Sequence, residues 1–236
     1  MRALVTGGSK GIGLAIAEAM VATGGKVTIT GRDPMRVRTA VTALVKSAAP
    51  GADVRGVAVD ARDRYGMDAA IDETAAAFGG LDTLINNAGV GVFTDVENMT
   101  DEQWSRVIDT NLTGVFYATR AAIPHLKHAG GGWIINIASL AGRNYFANAA
   151  AYCASKAGLV AFSEAVMLEV RSDNIRVSCV MPGSVATDFD GPGEKGDDSW
   201  KLTGEDIAEV VMDLLRHPSR SLPSKVEIRP ARTKAK

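Results

Sequence analysis

Tyr152 and Lys156 are separated by Cys153, Ala154 and Ser155 in an alanine-rich stretch. In a helix that spacing puts both side chains on one face, one turn apart. A free phenol has a pKa of about 10 and handles protons poorly at neutral pH, but a fixed ammonium beside it favours the ionised form and brings it toward a working range. The pair is thus a candidate proton donor. An ordinary exposed helix face offers the same spacing, so its meaning rests on the rest of the chain. Ser139 and Asn111 lie upstream. Taken singly, they read as a loop hydroxyl and a helix amide bonding its own backbone.

The elements that must position these residues alternate strictly. Short apolar runs predict strands over 2–6, 26–30, 54–59, 83–86, 133–138, 176–181 and 225–228, and helical spacing predicts helices over 12–22, 33–47, 61–78, 101–126, a stretch from Tyr152 to 171, and 204–216. Pro124 is expected to interrupt the fourth of these helices near its end. Strands that are apolar throughout, alternating with helices, indicate an α/β, doubly wound, mainly parallel seven-stranded sheet covered on both faces. Ligands belong at the carboxyl ends of such strands. No linker or repeat divides residues 1–236, which read as one domain with a substrate lid at 188–201 and a basic tail at 230–236.

Between the first strand and first helix runs Thr6-Gly7-Gly8-Ser9-Lys10-Gly11-Ile12-Gly13. Glycines there allow a tight turn and a close approach of backbone to a pyrophosphate, whose charge meets the helix amino terminus. NAD-selective sites carry an acid at the end of the second strand. Here that strand ends in Thr30-Gly31-Arg32. The planar fork of Arg32, with Lys10 as a second charge, suits a 2'-phosphate, so NADP(H) is expected in preference to NAD(H). The competing arrangement makes Arg32 a solvated cap and gives the ribose to Asp33.

The glycine turn, Asn86-Asn87-Ala88-Gly89, Asn111, Ser139, Tyr152 with Lys156, and Pro182-Gly183-Ser184-Val185-Ala186-Thr187 follow one another in this order. Together they resemble the short-chain dehydrogenase/reductase family over nearly the whole chain. The resemblance implies a Rossmann fold, with Tyr152 as general acid/base and Lys156 holding the nicotinamide ribose while lowering the phenol's pKa. It also implies that Ser139 bonds the substrate oxygen and that Asn111 positions a proton-relaying water. Asp60, which could also be a helix cap, would contact the adenine edge, Asn87, Ala88 and Gly89 the adenosine side, and Val185 and Thr187 the carboxamide. Gly7, Ser9, Lys10, Gly11, Ile12 and Gly13 would form the phosphate cradle, with Pro182 and Gly183 beside the cofactor. Many relatives end in Val-Asp-Gly-Gly, which serves a tetramer interface; this chain has Lys225-Val226-Glu227-Ile228-Arg229-Pro230. A homodimer through the long helices or a homotetramer is expected.

Composition bounds the partners. A net charge of −1 over 236 residues gives no electrostatic drive toward nucleic acid or anionic membrane. The start of the chain has no room for a signal peptide, no apolar run could span a bilayer, and Cys153 and Cys179 form no disulfide framework, so a cytoplasmic protein is expected. His125 and His128 read as partners of a helix carboxyl end, not as metal ligands; no metal is expected. Val92, Phe93, Leu140, Tyr145, Phe146, Phe189 and Trp200 are candidate walls of a substrate pocket. An acidic lid argues against anionic substrates, although Arg143 could offset it. The substrate class is a small carbonyl compound or alcohol, with 3-oxoacyl-carrier-protein reductases and carbonyl reductases as the similar groups. The alternative is a nucleotide-sensing protein without chemistry on the same fold, and isomerase or dehydratase chemistry is a third possibility.

Overall fold

The computed structural model describes residues 1–187 and 198–232. In chain order its elements are β1 Arg2–Val5, α1 Gly11–Val21, β2 Lys26–Gly31, α2 Pro34–Ser47, β3 Asp53–Ala58, α3 Arg64–Phe78 and β4 Thr83–Asn86. Then follow α4 Asp101–Ile108, α5 Gly114–His128, β5 Gly132–Ile137, α6 Ala150–Val170, β6 Ile175–Pro182, α7 Gly204–Arg216 and β7 Lys225–Ile228. The seven strands form one sheet in the order β3-β2-β1-β4-β5-β6-β7, every pairing parallel. Parallel strands need crossover connections, and the helices supply them.

Why these segments become strands is visible in their burial. Ala3, Leu4, Val5, Val27, Ile29, Leu84, Ile85, Ile134 and Ile135 are wholly buried, because helices cover both faces of the central strands. One face packs Ile16, Met20, Leu44, Ile207 and Val211 from α1, α2 and α7 against the sheet. The other packs Met67, Ile71, Ala118, Ala122 and Val166 from α3, α5 and α6. Strand β3 departs from the apolar expectation, since Arg55, Gly56 and Ala58 are exposed along the sheet's edge. The lid expected over 188–201 lies for the most part outside the described residues, as do Phe189 and the last four residues of the basic tail. Among the described residues no helix is long and apolar enough to cross a membrane.

Two local features differ from expectation and bear on the site. The region over 101–126 is two helices, and Pro124 breaks neither: it lies inside α5. The discontinuity is a π turn, Asp109–Thr113, where the Gly114 N–H donates to the Asp109 carbonyl. Such turns widen the backbone by one residue and cluster at functional sites; this one contains Asn111. The second feature is the start of α2. Asp33 caps it, accepting from the N–H groups of Met35 at 2.9 Å and Arg36 at 3.2 Å, while Arg36 Nε lies 3.3 Å from its other oxygen.

Candidate active site

Strand order reverses between β1 and β4, which opens a crevice at their carboxyl ends. The two ends are laced together. Thr6 Oγ1 accepts from the N–H groups of Asn87 and Ala88, both at 3.0 Å, and Asn87 Nδ2 donates to the carbonyls of Thr6 at 3.0 Å and Gly7 at 3.1 Å. Gly7 has φ +64°, and a Cβ there would lie 2.8 Å from Ala88 Cα, so only glycine fits the turn. Gly13 is required for packing: its Cβ would lie 2.3 Å from Asn87 Nδ2. Gly13 therefore supports the turn from behind and does not line the cavity.

That cavity, of about 830 Å³, runs along the carboxyl edge of β2, β1, β4, β5 and β6. It is lined from the glycine turn by Gly7, Ser9, Lys10, Gly11 and Ile12, just after β2 by Arg32, and after β3 by Asp60. After β4 come Asn87, Ala88 and Gly89, then Ser139, Tyr152 and Lys156, and after β6 Pro182, Gly183, Val185 and Thr187. Four strand spacings across the sheet make about 19 Å, a length suited to an extended dinucleotide. At α1 the N-cap residue Lys10 gives no side-chain cap, leaving the amino terminus of the helix to meet an anion. Arg62 grips both oxygens of Asp60, with Nε at 3.1 and 3.2 Å and Nη2 at 2.8 Å. That guanidinium holds the Asp60 carboxyl below its ordinary range. Val185 is bridged to Leu202, tying the two ends of the segment after β6 at its base.

Tyr152 and Lys156 stand one turn apart on α6, and the Lys156 Nζ lies 5.9 Å from the centroid of the Tyr152 ring. Lys156 is buried and donates to the Ile137 carbonyl at 2.9 Å. Burial disfavours its charged form and lowers its pKa to about 8, so it holds a proton at neutral pH. Ser139 Oγ accepts from the Ala141 N–H at 3.1 Å, capping the tight turn Leu140–Gly142. Its own proton is left for another acceptor. Gly142 lets that turn approach α6, because a Cβ would lie 2.8 Å from the Lys156 carbonyl oxygen.

Asn111 is buried and does not line the cavity. Its Oδ1 accepts from the Val90 N–H at 2.8 Å, and its Nδ2 donates to the Val90 carbonyl at 2.9 Å and to Ser155 Oγ at 3.0 Å. Ser155 in turn donates to the Tyr152 carbonyl at 2.8 Å. The π turn thus clamps the loop after β4 to the helix carrying Tyr152.

A family profile described as short chain dehydrogenase matches residues 1–197. The chain belongs to the short-chain dehydrogenase family. Similar relatives include the NADP-dependent (R)-specific alcohol dehydrogenase of Lentilactobacillus kefiri, 40% identical over 78% of this chain and 73% of that one. The 3-oxoacyl-acyl-carrier-protein reductase of Chlamydia muridarum is 37% identical over 79% and 75%. A metagenomic short-chain oxidoreductase solved in complex with NADP superposes with a TM-score of 0.85, at 35% identity, covering 98% of this chain and 97% of that one.

Several site neighbours escaped sequence reasoning. Arg36 lines the cavity from the first turn of α2, four residues after Arg32, without a sequence signal that set it apart. Val90, Thr110 and Ile137 also line it, and Ser155 ties Asn111 to α6, all without a distinguishing sequence signal. One expectation needs correction. Trp200 lies in a separate groove between α7 and the residues after β7, because Leu202 is anchored beside Val185 and carries its neighbours to that side. Arg143 is paired with Glu227 at 2.6 Å, and most of the acidic lid it was expected to offset lies outside the described residues.

Proposed function

We propose that this chain is an NADP(H)-dependent oxidoreductase that interconverts a ketone or aldehyde with an alcohol. The observation that carries the reading is the meeting of Tyr152, Lys156 and Ser139 in one cavity with Lys10, Arg32 and a glycine-built helix start. The residues fit the cofactor. A cradle whose close approaches exclude a Cβ at Gly7, an uncapped helix amino terminus and two cations suit a pyrophosphate and a further phosphate. Gly7 to Ile12 would hold the pyrophosphate, Lys10 and Arg32 the 2'-phosphate, Asp60 and Asn87 to Gly89 the adenosine, Lys156 the nicotinamide ribose, and Pro182, Gly183, Val185 and Thr187 the nicotinamide end. Relatives that are NADP-dependent or bound to NADP support the same choice.

When bound, the nicotinamide supplies or accepts the hydride at the substrate carbon. The chain's own groups manage the oxygen. Negative charge grows there during reduction, Ser139 Oγ donates a hydrogen bond to it, and Tyr152 Oη transfers the proton that completes the alcohol. The Lys156 ammonium stabilises the phenolate left behind. Asn111 and Ser155 keep α6 and the loop after β4 in register, with the proton-relay role of Asn111 part of the same proposal. Oxidation reverses these transfers.

Preference for NADP(H) is supported by the fate of Asp33, whose carboxylate is already engaged by the start of α2 and by Arg36. An acid so occupied is a poor ribose acceptor and a weak deterrent to phosphate. Arg32→Asp is expected to weaken NADPH binding by about 10- to 100-fold, the worth of a charged hydrogen-bonded contact, and to spare or improve NADH. Titration of protein fluorescence with both cofactors checks this. Equal affinities before and after would remove Arg32 from the site.

We further read the protein as a single-domain cytoplasmic homo-oligomer, dimer or tetramer. Trp104, Phe116 and Leu168 leave exposed apolar side chains on α4, α5 and α6, and both cysteines are unbridged.

A further inference from the structure

We infer that Phe93 and Phe146 form the specificity wall of the substrate site and select carbonyl compounds bearing a flat aryl group over saturated ones. This rests on the reading of Tyr152 as the proton donor and names the substrate class that the same site would take.

Phe93 comes from the loop after β4 and Phe146 from the loop between Ser139 and α6. Their rings stack, with centroids 6.2 Å apart and planes inclined by 28°. Phe93 also meets the Tyr152 ring edge-on, at 5.7 Å and 63°. An aromatic chain therefore leads from the phenol outward, so a substituent on a carbonyl held at Tyr152 Oη lies beside it. The stacked pair presents an aromatic surface of ring faces and edges next to Tyr152, beyond the residues that line the cofactor cavity. Both rings remain open to a ligand, at 44% and 53% exposure. Flat rings gain offset or edge-on contacts against such a face beyond what area alone provides, and a puckered saturated ring of equal size does not.

The loop carrying Phe146 is anchored on both sides. Arg143, three residues before Phe146, is paired with Glu227, whose other oxygen is held by Arg229 at 2.9 Å. The loop then turns at Asn148, φ +60°, and Ala149 is buried.

The test compares acetophenone with cyclohexyl methyl ketone on the wild-type chain and on Phe93→Leu and Phe146→Leu, which keep apolar bulk and remove a ring. The expected wild-type preference for acetophenone in kcat/KM is about fivefold, carried mainly by KM, and it should fall to about one in Phe93→Leu. Saturation-transfer NMR with the NADP⁺-loaded chain gives a second readout, with acetophenone ring protons saturated in wild type and much less so in Phe93→Leu. A preference absent in wild type, or equal in all three chains, overturns the inference while leaving carbonyl reduction intact. If neither ketone is reduced, nor any other carbonyl tried, the proposed function fails. The NMR arm still decides the wall: ring-selective binding lost in Phe93→Leu upholds it, and equal saturation of both ketones overturns it.

Discussion

Tyr152→Phe is expected to lower carbonyl-dependent NADPH oxidation by about 10²- to 10⁴-fold, the usual contribution of a positioned general acid. The substitution removes one oxygen and keeps the ring. Contacts of that ring with Phe93 and with Lys156 are retained, so the chain should fold as before and still bind NADPH. Steady-state rates alongside a cofactor titration separate the two effects. Undiminished turnover in the variant would mean that some other group protonates the substrate.

Lys156→Met carries the second large effect, and its signature is pH-dependent stability. The gap between lysine's ordinary 10.5 and about 8 in the folded chain is worth on the order of 3 kcal/mol. The sign follows from proton counting. Between those values the unfolded chain binds the proton and the folded chain does not, so this group's contribution to stability rises with pH across that window. Below pH 8 both states are protonated and the full cost of burying the ammonium is present. Methionine avoids that cost at every pH, at the constant expense of leaving the Ile137 carbonyl without its donor. Relative to wild type, the variant's stability should therefore be highest near neutrality and decline by about 2 to 3 kcal/mol as pH approaches 10. Urea denaturation of both chains at several pH values measures this. A difference that does not change with pH would mean that Lys156 keeps its ordinary pKa when folded. Activity should be lost as well, since the same ammonium supports Tyr152.

Much of this site was legible because its chemistry depends on residue types at short range. The strand-turn-helix at Gly7 to Gly13, the cation at Arg32 and the helical spacing of Tyr152 and Lys156 are local patterns, and the structure brings all but Gly8 and Gly13 to one cavity. Strand order was predictable only as a class, since apolar runs tell which segments are buried and not which neighbours they choose. The π turn left no mark, because its five residues are ordinary helix formers and polar residues whose register is set by the bonds of Asn111 to Val90 and Ser155. Pro124 misled for a related reason: tertiary packing along α5 outweighs one missing N–H near its end. The occupation of Asp33 by α2, the pairing of Arg143 with Glu227 and the stacking of Phe93 on Phe146 are all side-chain contacts, two of them between residues far apart in sequence.

Wild-type chain, NADPH and a panel of carbonyl compounds that includes acetophenone and a 3-oxoacyl thioester, followed by nicotinamide absorbance and product analysis, put the proposed chemistry to its most direct test. The expected result is consumption of one NADPH for each alcohol formed with at least one class of carbonyl, and its near-abolition in Tyr152→Phe. Tight NADPH binding with no oxidation across the panel, or oxidation indifferent to Tyr152, would contradict it.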